Sequence, residues 1–419
     1  MNLIEISRVN ILFVTHCVPQ RDISGGAMTC WALLKQLLGA KHQVRLVFLQ
    51  ESENSEISNA MQLRKLGNEF QSLKYVLFEV PERNKIYVGW RQLLGPMIMS
   101  KEYLLPSFLL NNQLEMACQD FNPDIIFNYH YTAAASTSNL RHIPQITITG
   151  DLLCQPIISR WKLLPKEVSL DYVFRTFRTA QAIVMYRKLM VKLLNLSAVA
   201  GSFGYHDAYW LKMHGVRKSE HFYSPINDDG VKNKIVGSSK KIKIIAGMSN
   251  LASTSTHAAL VLIVEEILPI LEQEIGSAFE IHIIGQGHPP KQLFDLMPRE
   301  TVKLRGFVSS VEDEFNSADI LLQPTPVFIG FRIRIIKAFC HSLCVVTHTN
   351  DTVNMPEIIA GENALVGSSG KEIANLTLRA IRDPDLRDRI ARKGRETYEK
   401  YYLPEKAAQK ILKRIETIA

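Results

Sequence analysis

Arg332 and Arg334 stand two residues apart, directly behind Gly330-Phe331, in the stretch PTPVFIGFRIRIIKAFCHSLCVVT of residues 324–347. A glycine lets the backbone approach a ligand closely, and a helix start presents unpaired N–H groups. A guanidinium fork matches the oxygens of a phosphate. Glycine turn, helix start and arginines in this order can grip a phosphate. The plainer alternative is a surface loop carrying two solvated arginines. In the first half of the chain, other polar residues follow apolar runs. His16 follows NILFVT, Gly25 and Gly26 lie in the next turn, His130 follows PDIIFNY and Asp151 follows PQITITG.

The apolar runs are the elements that must position these groups. Residues 10–15, 44–49 and 75–80 are short, apolar and bounded by turn signals, with helical spacing over 27–38 and 54–66 between them. A β-α-β-α-β opening is the signature of a doubly wound parallel sheet. Runs at 123–128, 144–149 and 198–202 continue it, with helical patterns over 166–194 and 206–214. Open parallel sheets bind ligands at the carboxyl ends of their strands, so His16, Gly25, Gly26, His130 and Asp151 are expected to converge on one edge. Residues 224–241, SPINDDGVKNKIVGSSKK, read as a linker in which Asp228-Asp229 is solvated rather than a metal pair. A second βα series follows, with strands at 242–246, 279–284, 302–307, 319–323 and 344–347. Helices are expected from Ser253, over 310–317 and 371–382, and as one long helix to the end. Gly285 closes one of these strands, Gly306-Phe307 another, and Glu357 follows the last of them.

Length and composition bound the class. A chain of 419 residues, 46% hydrophobic and 21% charged, is globular and too long for a single core. The six cysteines form no C-x-x-C pair, which argues against zinc ribbons and disulfide frameworks and fits a reducing cytosol. The short apolar run at the N-terminus lacks the shape of a signal peptide, and no window has the length of a membrane span. The expected location is therefore the cytoplasm. Of the net charge of +8, residues 1–235 supply 26 Lys+Arg against 19 Asp+Glu, a surplus of 7, which suggests an anionic partner. Residues 81–119 mix bases with large apolar groups, which suggests peripheral contact with the inner face of the cell membrane; a helix pair packed on the sheet is the alternative. Bases do not cluster with aromatics in any nucleic-acid module, so nucleic acid is not expected as a partner.

Taken together, ILFVTH and SGGA, IIGQG, VKLRGFVSSVEDEFNSADILLQPTP, GFRIRIIKAF, CVVTHT, MPEIIAGENALV and RDRIARKGRETYEKYY resemble the family-four-type glycosyltransferases (group 1) across nearly the whole chain. The resemblance implies an α/β GT-B architecture, two Rossmann-like domains facing across a cleft. It implies an acceptor domain over 1–223, a linker over 224–241, a donor domain over 242–398 and a C-terminal helix over 399–419 that packs back on the first domain. It implies retaining, metal-independent sugar transfer without a cofactor, from a nucleotide sugar of UDP or GDP type to a glycan or lipid-linked acceptor, in cell-surface polysaccharide synthesis. Carried over by residue, Gly306 and Phe307 meet the base, and Gly330, Phe331, Arg332 and Arg334 the diphosphate. Gly285 and Glu357 complete the donor set, and Gly25 and Gly26 close over the phosphates and sugar. Arg332, Lys337, His16 and Asp151 are the catalytic set, with His130 on the acceptor side.

The chain departs from the family pattern at three places. Two glutamates eight positions apart are replaced by Ile329 and Lys337. The second normally accepts from ribose hydroxyls, and lysine cannot accept; here it either adds charge near the diphosphate or turns outward. Gly150 replaces the usual histidine before Asp151, and the segment after 242–246 lacks the usual phosphate-binding Arg and Lys. These departures keep open a catalytically altered protein of this fold that binds or scaffolds, and a sugar-nucleotide epimerase or phosphorylase.

Overall fold

The computed structural model describes residues 8–21, 25–51, 56–71, 73–80, 111–163, 169–230, 241–251, 253–308 and 310–419. Residues 81–110, most of the stretch read as a membrane contact, lie outside them, and 111–119 fall in the helix Asn111–Phe121. The chain divides into two compact units, Met1–Pro225 with Pro404–Ala419, and Ile226–Leu403.

The first unit is built on a seven-stranded sheet of β1 (Asn10–Thr15), β2 (Gln43–Glu51), β3 (Lys74–Val80), β4 (Ile125–Tyr129), β5 (Gln145–Thr149), β6 (Val199–Ser202) and β7 (Ser219–His221), in the order β3-β2-β1-β4-β5-β6-β7. All its pairings are parallel. Strands buried on both faces need continuous apolar sequence, and Ile11 to Val14 and Ile125 to Phe127 are fully buried. Phe13 and Phe127 stack across β1 and β4 with ring centroids 5.1 Å apart. The order reverses between these two strands, which makes their carboxyl ends the topological switch point. Thr15 pairs with Tyr129, so His16 and His130 leave the sheet side by side.

The second unit repeats the plan with β8 (Ile242–Asn250), β9 (Phe279–Gln286), β10 (Val302–Gly306), β11 (Ile320–Gln323), β12 (Cys344–His348) and β13 (Leu365–Gly367), in the order β10-β9-β8-β11-β12-β13. Its switch point lies between β8 and β11, so the loop opened by Pro324 starts there. Ile244, Phe279, Ile281, Leu322 and Val346 form the centre of its core. Both sheets are the doubly wound α/β type expected from the sequence.

Of the segment 224–241, Ser224 and Pro225 belong to the first unit, and Ile226 onward to the second. Ile226 accepts from the Tyr398 hydroxyl at 2.8 Å, and residues 231–240 lie outside the described residues. The long terminal helix expected from the sequence is two helices, Pro384–Tyr401 in the second unit and Pro404–Ile418 in the first. Proline has no N–H for the preceding turn and disfavours helical backbone before it, which explains the break at Pro404. The second helix is tied to β7: Lys410 donates to the His221 carbonyl at 2.8 Å, and Arg414 pairs with Glu220 at 2.7 Å.

Candidate functional site

In the second unit the loop after β11 carries Gly330, Phe331 and Arg332 to the start of the helix Ile333–Cys340. Gly330 has φ +64°, a backbone state that side chains other than glycine rarely adopt. The helix buries Ile335, Ile336, Ala338, Phe339 and Cys340 on one side, and each large side chain among these contributes about 1.5–3 kcal/mol. That burial fixes the turn in place. Asn354 donates to the Gly330 carbonyl at 3.0 Å, and Asn350 to that of Pro326 at 2.7 Å.

Arg332 is the residue immediately before the helix, and its Nε donates to Asp351 Oδ1. Asp351 is buried beneath the turn and also accepts from Thr325 N at 3.0 Å and Thr347 Oγ1 at 3.2 Å. Burial pushes its carboxyl up from the ordinary range, against the pull of Arg332 and the Thr325 N–H. The other arm of the fork, Arg332 Nη2, is buried with no hydrogen-bond partner. Arg334 is half-buried, and desolvation together with the charge of Arg332 brings its guanidinium down to about 10. Two arginines that repel each other, one with an unused buried donor, are suited to a multiply charged anion.

Of the other members of the expected donor set, Gly285, Gly306 and Phe307 stand at the carboxyl ends of strands of this sheet. Gly306 ends β10 with φ +64° and open space where a Cβ would stand, and Phe307 beside it is 65% exposed. Gly285 is buried near the end of β9. Both carboxylate oxygens of Glu357 are buried without a partner, and desolvation raises this carboxyl to about 7.

Lys337 corrects the sequence reading. It neither adds charge at the arginine turn nor turns outward. Its side chain is buried, and its ammonium is clamped between Asp229 at 3.0 Å and Glu312 at 3.1 Å. Burial alone would lower it, yet the two carboxylates hold it above its ordinary value. Asp228 and Asp229 are likewise not merely solvated: Arg395 grips Asp228 through two nitrogens at 2.8 and 2.6 Å. Both aspartates therefore anchor residues 228–229 to the second unit.

In the first unit, His16 and His130 lie against each other at the switch point, with ring centroids 4.4 Å apart and planes tilted by 50°. His16 Nδ1 lies 3.1 Å from Thr132 Oγ1. Desolvation lowers His16 to about 4 and, with the neighbouring ring, His130 to about 3. His130 has φ 85° and ψ 163°, a region nearly reserved for glycine, which stores roughly 1–3 kcal/mol of strain. A Cβ on Gly150 would stand 2.6 Å from His130 Cδ2. The space above residue 150 is thus taken by the imidazole of His130, from the neighbouring strand. His130 and Asp151 line a pocket of about 350 Å³ with Leu152, Leu153, Pro156, Ile157 and Tyr186.

Gly25 and Gly26 are the first residues of the helix Gly25–Gly39 rather than part of the turn before it. The Tyr129 hydroxyl donates to the Gly26 carbonyl at 3.2 Å, tying this helix start to β4.

Asp351, Asn354 and Tyr186 were missed from the sequence. The polar run THTNDTVN, which begins with the last two residues of β12, was the available signal for the first two, since residues at a strand's carboxyl end face the ligand edge. Tyr186 sits within an ordinary helical pattern and gave none. Among the described residues no three His, Cys, Asp or Glu side chains are grouped to hold a metal ion.

Residues 243–383 match the family described as Glycosyl transferases group 1. No curated protein matches the sequence. Among solved structures, sucrose-phosphate synthase from Thermosynechococcus elongatus is 11% identical with a TM-score of 0.70, over 98% of this chain and 99% of that one. HepE of Anabaena, in complex with UDP and glucose, is 13% identical with a TM-score of 0.67, over 98% and 100%. WaaG, a glycosyltransferase involved in lipopolysaccharide biosynthesis, is 12% identical with a TM-score of 0.61, over 97% and 99%. Residues 243–383 thus match the group 1 glycosyltransferase family, and the chain shares the fold of these glycosyltransferases, two Rossmann-like α/β units of the GT-B type.

Proposed function

We propose that this protein transfers a sugar from a nucleoside-diphosphate sugar of UDP or GDP type to a glycan or lipid-linked acceptor, in cell-surface glycan assembly. The second unit holds the donor, and the first unit supplies the acceptor side. One observation carries the reading: the fork of Arg332, locked by Asp351 through Nε, leaves a buried Nη2 unused at a glycine turn and helix start. Arg332 and Arg334 stabilise the charge that grows on the departing diphosphate, the main electrostatic task of this chemistry. Phe307 offers a stacking face for the base, and Glu357 accepts from ligand hydroxyls. In the first unit, His16, His130 and Asp151 bind and orient the acceptor hydroxyl. The course is retaining and uses neither metal nor cofactor. Support comes from HepE, a relative in fold that was crystallised with UDP-glucose.

The test is a thermal-shift panel of UDP, GDP, ADP, CMP and their sugars. A nucleoside diphosphate at about 100 Kd stabilises its domain by about 2.7 kcal/mol. The proposal expects one family of nucleotides to do so and Arg332→Ala to lose the effect. A folded sample stabilised by none of them ends it. Mass spectrometry of products, with and without EDTA, then distinguishes transfer from epimerisation or phosphorolysis, and the anomeric configuration of the product tests retention.

A second reading, a protein of this fold that binds without transferring, is favoured by Lys337. The position that would carry a ribose-binding carboxylate is occupied by an ammonium already engaged with Asp229 and Glu312. Donor turnover that disappears in Arg332→Ala rules it out.

A further inference from the structure

The helix Leu170–Leu194 of the first unit packs through Met190, Leu193 and Leu194 and leaves its opposite face open. Leu170 is 91% exposed, Val173 58%, Phe174 59%, Phe177 60% and Val184 39%. Steps of three, four and seven residues place these side chains, with Lys188 and Lys192 further on, within an arc of roughly 100°. The face is therefore graded: apolar and aromatic at its beginning, cationic at its end. The helix carries five bases against one acid. At the cationic end Arg187, Lys188, Val191 and Lys192 border a pocket of about 620 Å³, with Met213 and His214 across it. Met213 continues a second exposed row, Tyr205 and Tyr209, along the helix Tyr205–Met213.

We propose that this face docks the protein on an anionic lipid bilayer, with Phe174 and Phe177 among the headgroups and acyl boundary and Lys188 and Lys192 on the lipid phosphates. Burying isolated phenylalanines requires an apolar phase. The cations beside them require that phase to be edged with negative charge. An anionic membrane surface offers both along one plane, which suits a helix that lies flat. No described helix is long and apolar enough to cross a membrane. The surface is distinct from residues 81–119 and does not depend on the transferase reading.

The test is co-sedimentation of the full chain with phosphatidylcholine vesicles, with and without phosphatidylglycerol. Binding is expected only to the anionic vesicles, falling with added salt. Each lysine near such a surface contributes roughly fivefold in partitioning. Phe174→Ser/Phe177→Ser and Lys188→Glu/Lys192→Glu should therefore each weaken binding at least tenfold while keeping the native melting temperature. Should the serine pair fail to fold, the glutamate pair carries the test. Soluble glycerophosphate should compete no more than sodium chloride of the same ionic strength; if it abolishes pelleting where the matched salt does not, the site is one for free phosphate and the proposal fails. It fails equally if the wild type does not pellet, if both variants bind fully, or if light scattering shows a dimer that the serine pair abolishes while vesicles are ignored.

Discussion

Arg332 Nε meets Asp351 Oδ1 at 2.5 Å, so a guanidinium at the mouth of a helix is aimed by a carboxylate buried beneath it. The two partners are not equivalent. Asp351 can shed its charge by taking up a proton, and burial already pushes it that way. Arginine cannot shed its charge.

Removing the two partners should therefore have different effects. Asp351→Asn leaves an uncompensated, largely buried guanidinium and should cost about 3 kcal/mol in urea unfolding. Arg332→Ala leaves a carboxyl that can neutralise, so its stability cost should be clearly smaller, while any stabilisation by nucleotide is lost. Equal stability losses in the two variants would show that Asp351 does not aim the arginine.

Lys337→Glu restores the residue type of the family pattern and should nevertheless be harmful. It would place three carboxylates together, with Asp229 and Glu312 unpaired around a buried site, at a cost of about 3–5 kcal/mol. Lys337→Met should cost less, since Asp229 and Glu312 are partly exposed and can hydrate. Chemical denaturation of both variants checks this; a Glu variant as stable as the wild type contradicts the clamp.

Gly150→Ala should displace His130, whose Cδ2 would lie 2.6 Å from the new methyl group. The expected cost is about 1–3 kcal/mol, together with loss of transfer, while nucleotide binding in the second unit persists. In a His130→Gly background, which also relieves the φ strain, the Gly150→Ala cost should largely vanish. Additive effects in this double-mutant cycle would mean that the two positions do not compete for the same space.

The paired histidines make the first unit sensitive to acid. His16 and His130 are held neutral in the fold, with values near 4 and 3 against an ordinary 6.5. Below about pH 6.5 the unfolded chain binds more protons than the folded one, so stability falls as pH drops from 6.5 toward 4. The slope approaches about 1.4 kcal/mol per pH unit for each histidine. Glu357, raised to about 7, acts in the opposite direction in the second unit, which loses stability as pH rises from about 4.5 to 7. Unit-resolved hydrogen exchange at several pH values separates the two. His16→Gln/His130→Gln should reduce the first slope, of which His221, also lowered to about 4 by burial, keeps a part, and leave the second; an unchanged slope in that variant would refute this account.

Eleven of the thirteen described strands were legible because apolar runs of four to six residues between turn signals leave a parallel strand little alternative to burial, while β7 and β13, of three residues each, were not read. The carboxyl-edge placement of His16, His130 and Asp151 followed from the same local order, since each stands within two residues of a strand's end, while Gly306 ends a strand and Gly330 lies in the loop after another. The arginine turn was equally local: glycine, aromatic and two bases at a helix start.

Side-chain partnership was not local. Whether Lys337 faced a ligand or an intraprotein carboxylate depended on Asp229, 108 residues away, and on Glu312, 25 away. The sequence reading ran one helix through Pro404, and which unit each of the two terminal helices joins was set by contacts such as Arg414 with Glu220, 194 residues apart. Likewise Gly150 read as a missing histidine until folding brought His130 over it from the next strand. By itself the sequence determined all but the two shortest strands, their edges and the residue types at those edges, because these depend on hydrophobic period and backbone propensity within a few residues. Only the tertiary structure decided which charges are spent on one another and which, like Arg332 Nη2 and the Glu357 carboxylate, lack a protein partner, because pairing depends on distances that close only when remote segments pack.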